Sequence, residues 1–193
     1  MTPITQADIN KAAWAACDTF RGVVDPSIYK DYVLTMLFLK YLSDVWKDHH
    51  TRYSAEHPDA PDLVAALMAQ EAFVLPKGAS FDDLYARRHE PGLGERIDKA
   101  LHAIEEANIS KLRDVFQDIS FNSTRLGAED QKNDILRFLL EDFAKPALDL
   151  RPSRVGTLDI IGGAYEYLRS LRDLCGLTGD WLFGLSPDVV VVT

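Results

Sequence analysis

The residue types best suited to chemistry lie in one short stretch, where three histidines stand close to three carboxylates. They are His49, His50 and His57, with Asp48, Glu56 and Asp59. Imidazole nitrogens and carboxylate oxygens both bind zinc, so this stretch is a candidate metal site. Its spacing matches none of the usual zinc patterns, however, and a loop rich in His and Asp is ordinarily solvated. We therefore predict no metal-binding residue.

Two other motifs that can carry chemistry have simpler interpretations. Gly92-Leu93-Gly94 follows no predicted strand, which is typical of a turn rather than of a phosphate-binding loop. Cys17 lies among alanines at helical spacing, and nothing nearby in sequence would favour its thiolate, so we predict a small core residue. We also find no paired carboxylates and no nucleophile with a base, and predict no catalytic residue.

Arg151 and Arg154 are the candidate contact residues. They lie between residues 148 and 157, where Pro152 and Gly156 indicate a boundary between structural units. Arginine at such a place could contact DNA or a partner subunit. Surface arginines are also common without any such role, and that simpler interpretation is the one we favour.

The charge balance argues against unaided binding to nucleic acid. The formal net charge is -9, whereas contact with the phosphate backbone requires a concentrated basic surface. A partner would have to supply that charge. The N-terminus carries no signal segment, and the two cysteines, Cys17 and Cys175, lie far apart in sequence. We therefore expect a cytoplasmic protein with free thiols.

Residues 29–50 organise the predicted fold because the middle of this stretch is apolar around the whole helix. From Tyr32 to Leu39, Thr35 is the only polar residue, whereas a surface helix would show a single apolar stripe. Asp25-Pro26 is a typical helix start. Four charged residues interrupt the apolar run too often for a membrane span: Lys30, Asp31, Lys40 and Asp44. The sequence predicts a buried central helix and no membrane partner.

Other helical patterns flank this central helix. Thr5 and Asp8 form an approximate capping box ahead of a first amphipathic helix, with Gly22 as its stop. Residues 51–61 have loop composition, residues 63–68 suggest a short helix, and residues 73–76 an extended segment. A later helix, capped by Asp130 and ended by Pro146, has a predicted apolar face of Ile135, Leu136, Phe138, Leu139 and Phe143. The predicted class is all-α, a multi-helix, bundle-like domain over residues 1–155.

An ordered set of segments resembles the N-terminal part of the modification subunit of type I restriction–modification systems. Its members are Arg21-Gly22, residues 29–46, Phe73-Val74-Leu75-Pro76, residues 100–108 and residues 159–168. Ala164-Tyr165-Glu166-Tyr167-Leu168 is the most specific block, and the resemblance extends over residues 4–168. It implies a helical N-terminal domain ahead of a methyltransferase domain, with residues 156–193 as a linking helix and the truncated or divergent start of that domain.

The resemblance also implies an activity, a cofactor and partners. In that family the full-length subunit uses S-adenosylmethionine to methylate the exocyclic amine of adenine in DNA. It works with a DNA-specificity subunit and a restriction subunit, and the helical domain helps to close the complex around DNA. The recognition sequence and the subunit stoichiometry do not follow from the resemblance.

The motifs of methylation do not occur in this chain. The family's Asn-Pro-Pro-aromatic motif holds a flipped adenine through carbonyl acceptors and an aromatic face, and no Asn-Pro-Pro is present. No Gly-rich loop follows a predicted strand, and Ser186-Pro187 is only a weak echo of the family's Phe-Tyr-Thr-Pro. We predict no cofactor-binding residue and an inactive chain. From Arg169 onward the pattern dissolves, which fits a divergent domain start, a truncated chain or a shifted reading frame.

Two classes of function remain from the sequence. The first is the helical domain of a methyltransferase subunit, which serves assembly. The second is a free-standing, non-catalytic helical interaction protein, either docked on other subunits or a homodimer. An independent small-molecule enzyme is disfavoured because the sequence shows no catalytic constellation.

Overall fold

The structure is a computed structural model that describes residues 4–20 and 26–156. Eight α-helices follow one another in these residues, and no strand occurs among them. They are α1 (Gln6–Phe20), α2 (Pro26–Glu56), α3 (Pro61–Met68), α4 (Phe81–Ala86), α5 (Leu93–Ala107), α6 (Ile109–Leu112), α7 (Glu129–Phe143) and α8 (Pro152–Val155). Two short 3-10 helices, Thr124–Leu126 and Pro146–Leu148, lie on either side of α7. The predicted all-α class is confirmed.

Helix α2 is the centre of the domain, as its composition predicts. Every residue from 32 to 37 is buried, as are residues 39, 40 and 42–44, so the burial runs around the helix. Helices α1, α3, α4, α7 and α8 all pack against α2, and α5 packs against α4 and α7. Val33, Met36 and Leu37 have no exposed surface. Five of the other described helices are therefore ordered by contact with α2, and α5 is ordered through α4 and α7.

Helix α2 is longer than the sequence pattern predicts, and the predicted loop over residues 51–61 is wrong for its first half. The helix continues to Glu56 because no glycine or proline occurs until Pro58. The Thr51 hydroxyl donates to the Lys47 carbonyl at 2.7 Å, so this side chain does not compete with the backbone hydrogen bonds of the helix. Pro58 disfavours helical geometry at His57, and the helix stops there. The predicted start at Pro26 is confirmed, whereas Asp25 lies outside the described residues.

The described termini and faces of the other helices agree with prediction except at α7, and the predicted stop at Gly22 lies outside the described residues. Thr5 and Asp8 exchange the hydrogen bonds of a capping box, at 2.9 Å and 3.3 Å. Asp130 is not the cap of α7, because the helix already begins at Glu129 and Asp130 lies in its first turn. Phe138 is not part of the core: it is 48% exposed, and the Arg137 guanidinium lies 4.8 Å from its ring centre. Leu140 is buried instead.

The start of α5 depends on a glycine at a close backbone contact. Gly94 lies in the first turn of α5, where a side-chain methyl group in place of its hydrogen would overlap the Phe121 carbonyl oxygen. That carbonyl has little freedom to move, since the neighbouring Phe121 N–H donates to the Asp98 carboxylate at 2.7 Å. The Gly92-Leu93-Gly94 stretch therefore starts a helix and packs against a turn.

We expect Gly94→Ala to destabilise the domain by about 2 kcal/mol, despite the better helix propensity of alanine, because overpacking against backbone outweighs it. Urea unfolding followed by circular dichroism measures the change. Gly92→Asn is the control, since Gly92 has φ +73° and open space around it, and asparagine tolerates that conformation. An unchanged or higher midpoint for Gly94→Ala would contradict the contact.

Candidate functional site

The two candidate arginines lie in a segment that is fastened along α2. Leu148 and Leu150 are buried, as is Val155 further along, so three apolar side chains hold residues 148–155 against the core. We call residues 149–155 the strap. The strap contains α8, whose first residue, Pro152, has no N–H to leave unsatisfied. Arg151 and Arg154 are thus positioned by packing rather than by a free loop.

Asp44 of α2 makes the most buried polar contact of the strap. One of its carboxylate oxygens, Oδ2, accepts a hydrogen bond from the Leu150 N–H at 2.8 Å and also contacts the Lys40 ammonium. The Lys40 and Asp44 side chains are only 9% and 8% exposed. The Lys40 ammonium also lies 5.4 Å from the centre of the Phe81 ring. Burial raises the pKa of Asp44, and the positive charge of Lys40 opposes that rise.

Asp48, one turn further along α2, holds the strap a second time. Its carboxylate accepts the Ser153 N–H at 2.9 Å and the Ser153 hydroxyl at 2.7 Å. The Ser153 N–H is in the first turn of α8, where no partner within the helix is available. The carboxylate from α2 therefore caps α8 from outside. Two carboxylates at i and i+4 spacing on one face of α2 fix the strap at two points.

Arg151 is already engaged by a carboxylate within the strap. Its Nε and Nη2 atoms donate to the two oxygens of Asp149 at 2.7 Å and 2.5 Å, a bidentate pair. Hydrogen bonding by Arg151 lowers the pKa of Asp149, and the same bonds raise the pKa of Arg151. Arg154 lies at the last turn of α8, one residue before Val155, and is partly buried. The structure brings the two arginines together on the strap, and their contact with DNA or a subunit stays a prediction.

The sequence pattern names the residues that hold this segment, Asp44 and Asp48, but gives them other roles. Lys40 and Asp44 stand in the sequence as charges that interrupt an apolar run, and both are in the core. The sequence signal that could have identified these two carboxylates is their spacing. Asp44 and Asp48 lie one helical turn apart on a helix that is otherwise apolar around its middle. Charges on a buried helix require partners: Lys40 and Asp44 pair with each other within α2, and the strap adds the Leu150 N–H as a donor to Asp44.

The three histidines of the candidate metal stretch have separate surroundings. His49 Nδ1 lies 2.7 Å from a carboxylate oxygen of Glu71, and the His50 ring stacks on Trp46 with 4.9 Å between centres. His57 follows the last residue of α2. Across residues 4–20 and 26–156, no three His, Cys, Asp or Glu side chains are grouped in a way that would hold a metal ion.

Asp31 is a second unusual carboxylate near the N-terminal end of α2. It is half-buried, and its Oδ1 atom has no hydrogen-bond partner among the described residues. Burial raises the pKa of Asp31 to about 6, and the charge of Lys30 only partly opposes this. The folded state therefore holds a proton more tightly than the unfolded chain, so the ionised carboxylate lowers stability at neutral pH.

We expect Asp31→Asn to raise the free energy of unfolding by about 1 kcal/mol at pH 7.5, after allowance for solvent screening. Because the folded pKa lies above the unfolded one, the contribution of Asp31 to wild-type stability becomes less unfavourable as the pH falls from about 6 towards 3.8. The advantage of the variant should shrink over the same range. Thermal midpoints measured from pH 7.5 to pH 4 check this, with Asp118→Asn at an exposed position as the control. A gain that is independent of pH would contradict it.

The fold and this site define the class: an all-α domain organised around one buried helix, with its C-terminal segment fastened to that helix. No described helix, α2 included, has the uninterrupted apolar length of a membrane span. Residues 9–143, well over half of the chain, match the HsdM N-terminal domain family. The chain belongs to that family. The predicted resemblance is thereby confirmed.

A solved structure supports the same assignment at the level of the fold. The crystal structure of the type I restriction-modification system methyltransferase subunit from Streptococcus thermophilus is similar, with a TM-score of 0.67 and 23% sequence identity. The similarity covers 86% of this chain and 39% of that chain. No curated protein sequence matches the chain. The predicted linking helix and tail, residues 156–193, lie outside the described residues except for Gly156, and Cys175 lies outside them too.

Proposed function

We propose that this chain is the helical N-terminal region of the modification subunit of a type I restriction–modification system, and that it serves assembly and closure of the complex around DNA. The observation that carries the proposal is the family match over residues 9–143. The similarity to the S. thermophilus subunit supports it, because the two chains share this all-α fold. The partners are a specificity subunit and a restriction subunit.

We propose that residues 1–193 do not carry out methylation themselves. The chain spans about two fifths of the length of the similar subunit. S-adenosylmethionine sites of the expected kind need a Gly-rich loop after a strand, and the described residues contain no strand. The base-binding Asn-Pro-Pro sequence is missing from residues 1–193. The described residues do not fit the cofactor, and we propose that this chain neither binds S-adenosylmethionine nor methylates adenine.

The charge distribution favours protein contacts over direct DNA contacts. The net charge is -9, and the bidentate pair with Asp149 already uses the guanidinium group that Arg151 would offer to a phosphate. DNA would therefore be approached through the other subunits. The strap, which begins shortly after the family-matched residues, is well placed to connect this domain to the remainder of a modification subunit.

Co-expression tests the assembly role. The chain is produced with a tagged type I specificity subunit from the same genome, and we expect the two to co-purify and to elute together in size exclusion. A stable homodimer that ignores the specificity subunit would overturn the proposal and favour a free-standing interaction protein. A separate assay uses an adenine-containing duplex and labelled S-adenosylmethionine. We expect no turnover above background, and measurable turnover would contradict the proposal that this chain is inactive.

A further inference from the structure

A groove that the proposed function does not use lies at the C-terminal end of α2. Its walls are the last turns of α2, the helix α3 and the extended segment 73–75. The groove has a volume of about 490 Å³ and is lined mainly by apolar groups. Its lining residues include Trp46, His50, Val64, Ala65, Met68 and Leu75. This is room for one or two large apolar side chains.

The composition of α3 indicates that this end of the domain meets a partner. Residues 63–68 are Leu-Val-Ala-Ala-Leu-Met, without a polar side chain, yet only Val64 and Met68 are buried. Leu63 is 44% exposed, and Ala65, which lines the groove, is also exposed. A helix that covers a core with one face ordinarily carries polar residues on its outer face. An outer face of alanine and leucine beside an apolar groove is typical of a protein-binding surface.

The charges at the rim define the partner's chemistry. Glu56 at the end of α2, Asp59 in the turn and Asp62 at the start of α3 are all exposed. None of the three takes part in an ion pair within the described residues. Two cations are nearby, and both have other contacts. The Arg52 guanidinium lies 4.8 Å from the centre of the Tyr53 ring, and the Lys111 ammonium donates to the Ala72 carbonyl at 2.6 Å. An acidic rim repels nucleic acid and anionic membranes and attracts a basic protein segment.

The groove is held open by side-chain contacts of its own. Asn108 accepts the Val74 N–H and donates to the Val74 carbonyl, both at 2.8 Å, which fixes segment 73–75. The Tyr53 hydroxyl donates to Glu71 at 2.5 Å and ties the end of α2 to the residues that follow α3. A preformed groove spares a partner the cost of ordering it.

We propose that this groove binds an amphipathic, Lys- or Arg-bearing helix of a partner protein, which inserts an apolar anchor beside Trp46 and places its cations against Glu56, Asp59 and Asp62. Helices that lay an apolar face into a groove are a common recognition mode. The proposal goes beyond the proposed function and does not depend on it. If the chain fails to co-purify with a specificity subunit, the groove proposal still stands. If the groove fails to bind the peptide, the assembly proposal still stands.

A designed peptide pair tests the chemistry directly. The probe is a synthetic amphipathic helix with Leu and Phe on one face and Lys on the other, and its twin carries Glu in place of every Lys. The chain has three tryptophans, so Trp14→Phe and Trp181→Phe leave Trp46 as the reporter in the groove. We expect the Lys peptide to shift Trp46 emission saturably and the Glu twin to bind about tenfold more weakly or worse.

Variants on α3 locate the binding site. Ala65→Lys projects a charged side chain from the lining of the groove, and we expect it to weaken the Lys peptide about tenfold or more. Ala66→Lys is the matched control, since Ala66 is exposed on the same helix but does not line the groove, and it should bind like the parent. Circular dichroism of both variants checks that the overall helical content is unchanged.

Three results would overturn the proposal. Equal binding of the Lys peptide and its Glu twin would remove the role of the acidic rim. Equal binding by Ala65→Lys and Ala66→Lys would place the peptide elsewhere. If the peptide fails to bind while light scattering shows a dimer that Ala65→Lys converts to monomer, the occupant is a second copy of the chain and not a basic partner.

Discussion

Leu37→Asp is expected to unfold the domain. Leu37 has no exposed surface and lies in the run of α2 that is buried on every side. The substitution removes a buried leucine, which costs about 2 to 5 kcal/mol, and adds a carboxylate without a partner, which costs more. The sum is comparable with the whole stability of an ordinary domain. Far-ultraviolet circular dichroism and a thermal scan measure the loss.

Two matched variants show whether burial is the cause. The sequence pattern alone predicts unfolding for Phe38→Asp too, but Phe38 is only partly buried and contacts Phe73 and Phe116 at the edge of the core, so we expect a smaller loss than for Leu37→Asp. Phe138→Asp, at a residue that is 48% exposed, should change stability by about 0.5 kcal/mol at most. A near-wild-type midpoint for Leu37→Asp would show that α2 is not the core helix.

Asp44→Ala is expected to cost about 3 to 5 kcal/mol of folding stability, the second-largest effect. It leaves the Lys40 ammonium buried with its charge uncompensated and the Leu150 N–H without its acceptor. Chemical unfolding measures the loss. Because the strap is held through the same oxygen, limited proteolysis near Arg151 should also accelerate relative to wild type.

A double variant separates the charge from the hydrogen bond. Lys40→Met with Asp44→Leu removes both charges, so it should be more stable than Asp44→Ala while still lacking the Leu150 contact. The exposed pair Lys47–Asp82, with side chains 56% and 58% exposed, provides the comparison, and Lys47→Ala should cost less than about 1 kcal/mol. Equal losses for Asp44→Ala and Lys47→Ala would contradict the importance of burial.

The central helix is predictable because its signal is local. A helix that is apolar around its circumference can only be buried, and that inference needs no knowledge of its neighbours. The end of α2 is not predicted correctly because the polar composition of residues 51–56 suggests a loop, whereas helix continuation depends on the absence of Gly and Pro. The exposure of Phe138 depends on which helices surround α7, and a single-helix pattern does not carry that information.

The candidate site is predictable in position but not in its connections. Pro152 and Gly156 indicate a boundary, and the arginines are visible as candidates. That Asp44 and Asp48 hold the strap depends on contacts between residues more than one hundred positions apart, which no local pattern reveals. The groove beside α3 has a local signal in six consecutive apolar residues, but that signal alone indicates only a short helix.

The length of α2 links the two regions that the proposals concern. Its 31 residues form a rod of about 46 Å, and after Pro26 it contains neither proline nor glycine, the usual places for a kink. Asp44 and Trp46 are about 200° apart around its axis, as are Asp48 and His50, so strap and groove sit back to back on the same two turns. A partner bound in the groove and the strap therefore contact opposite sides of one unbroken helix.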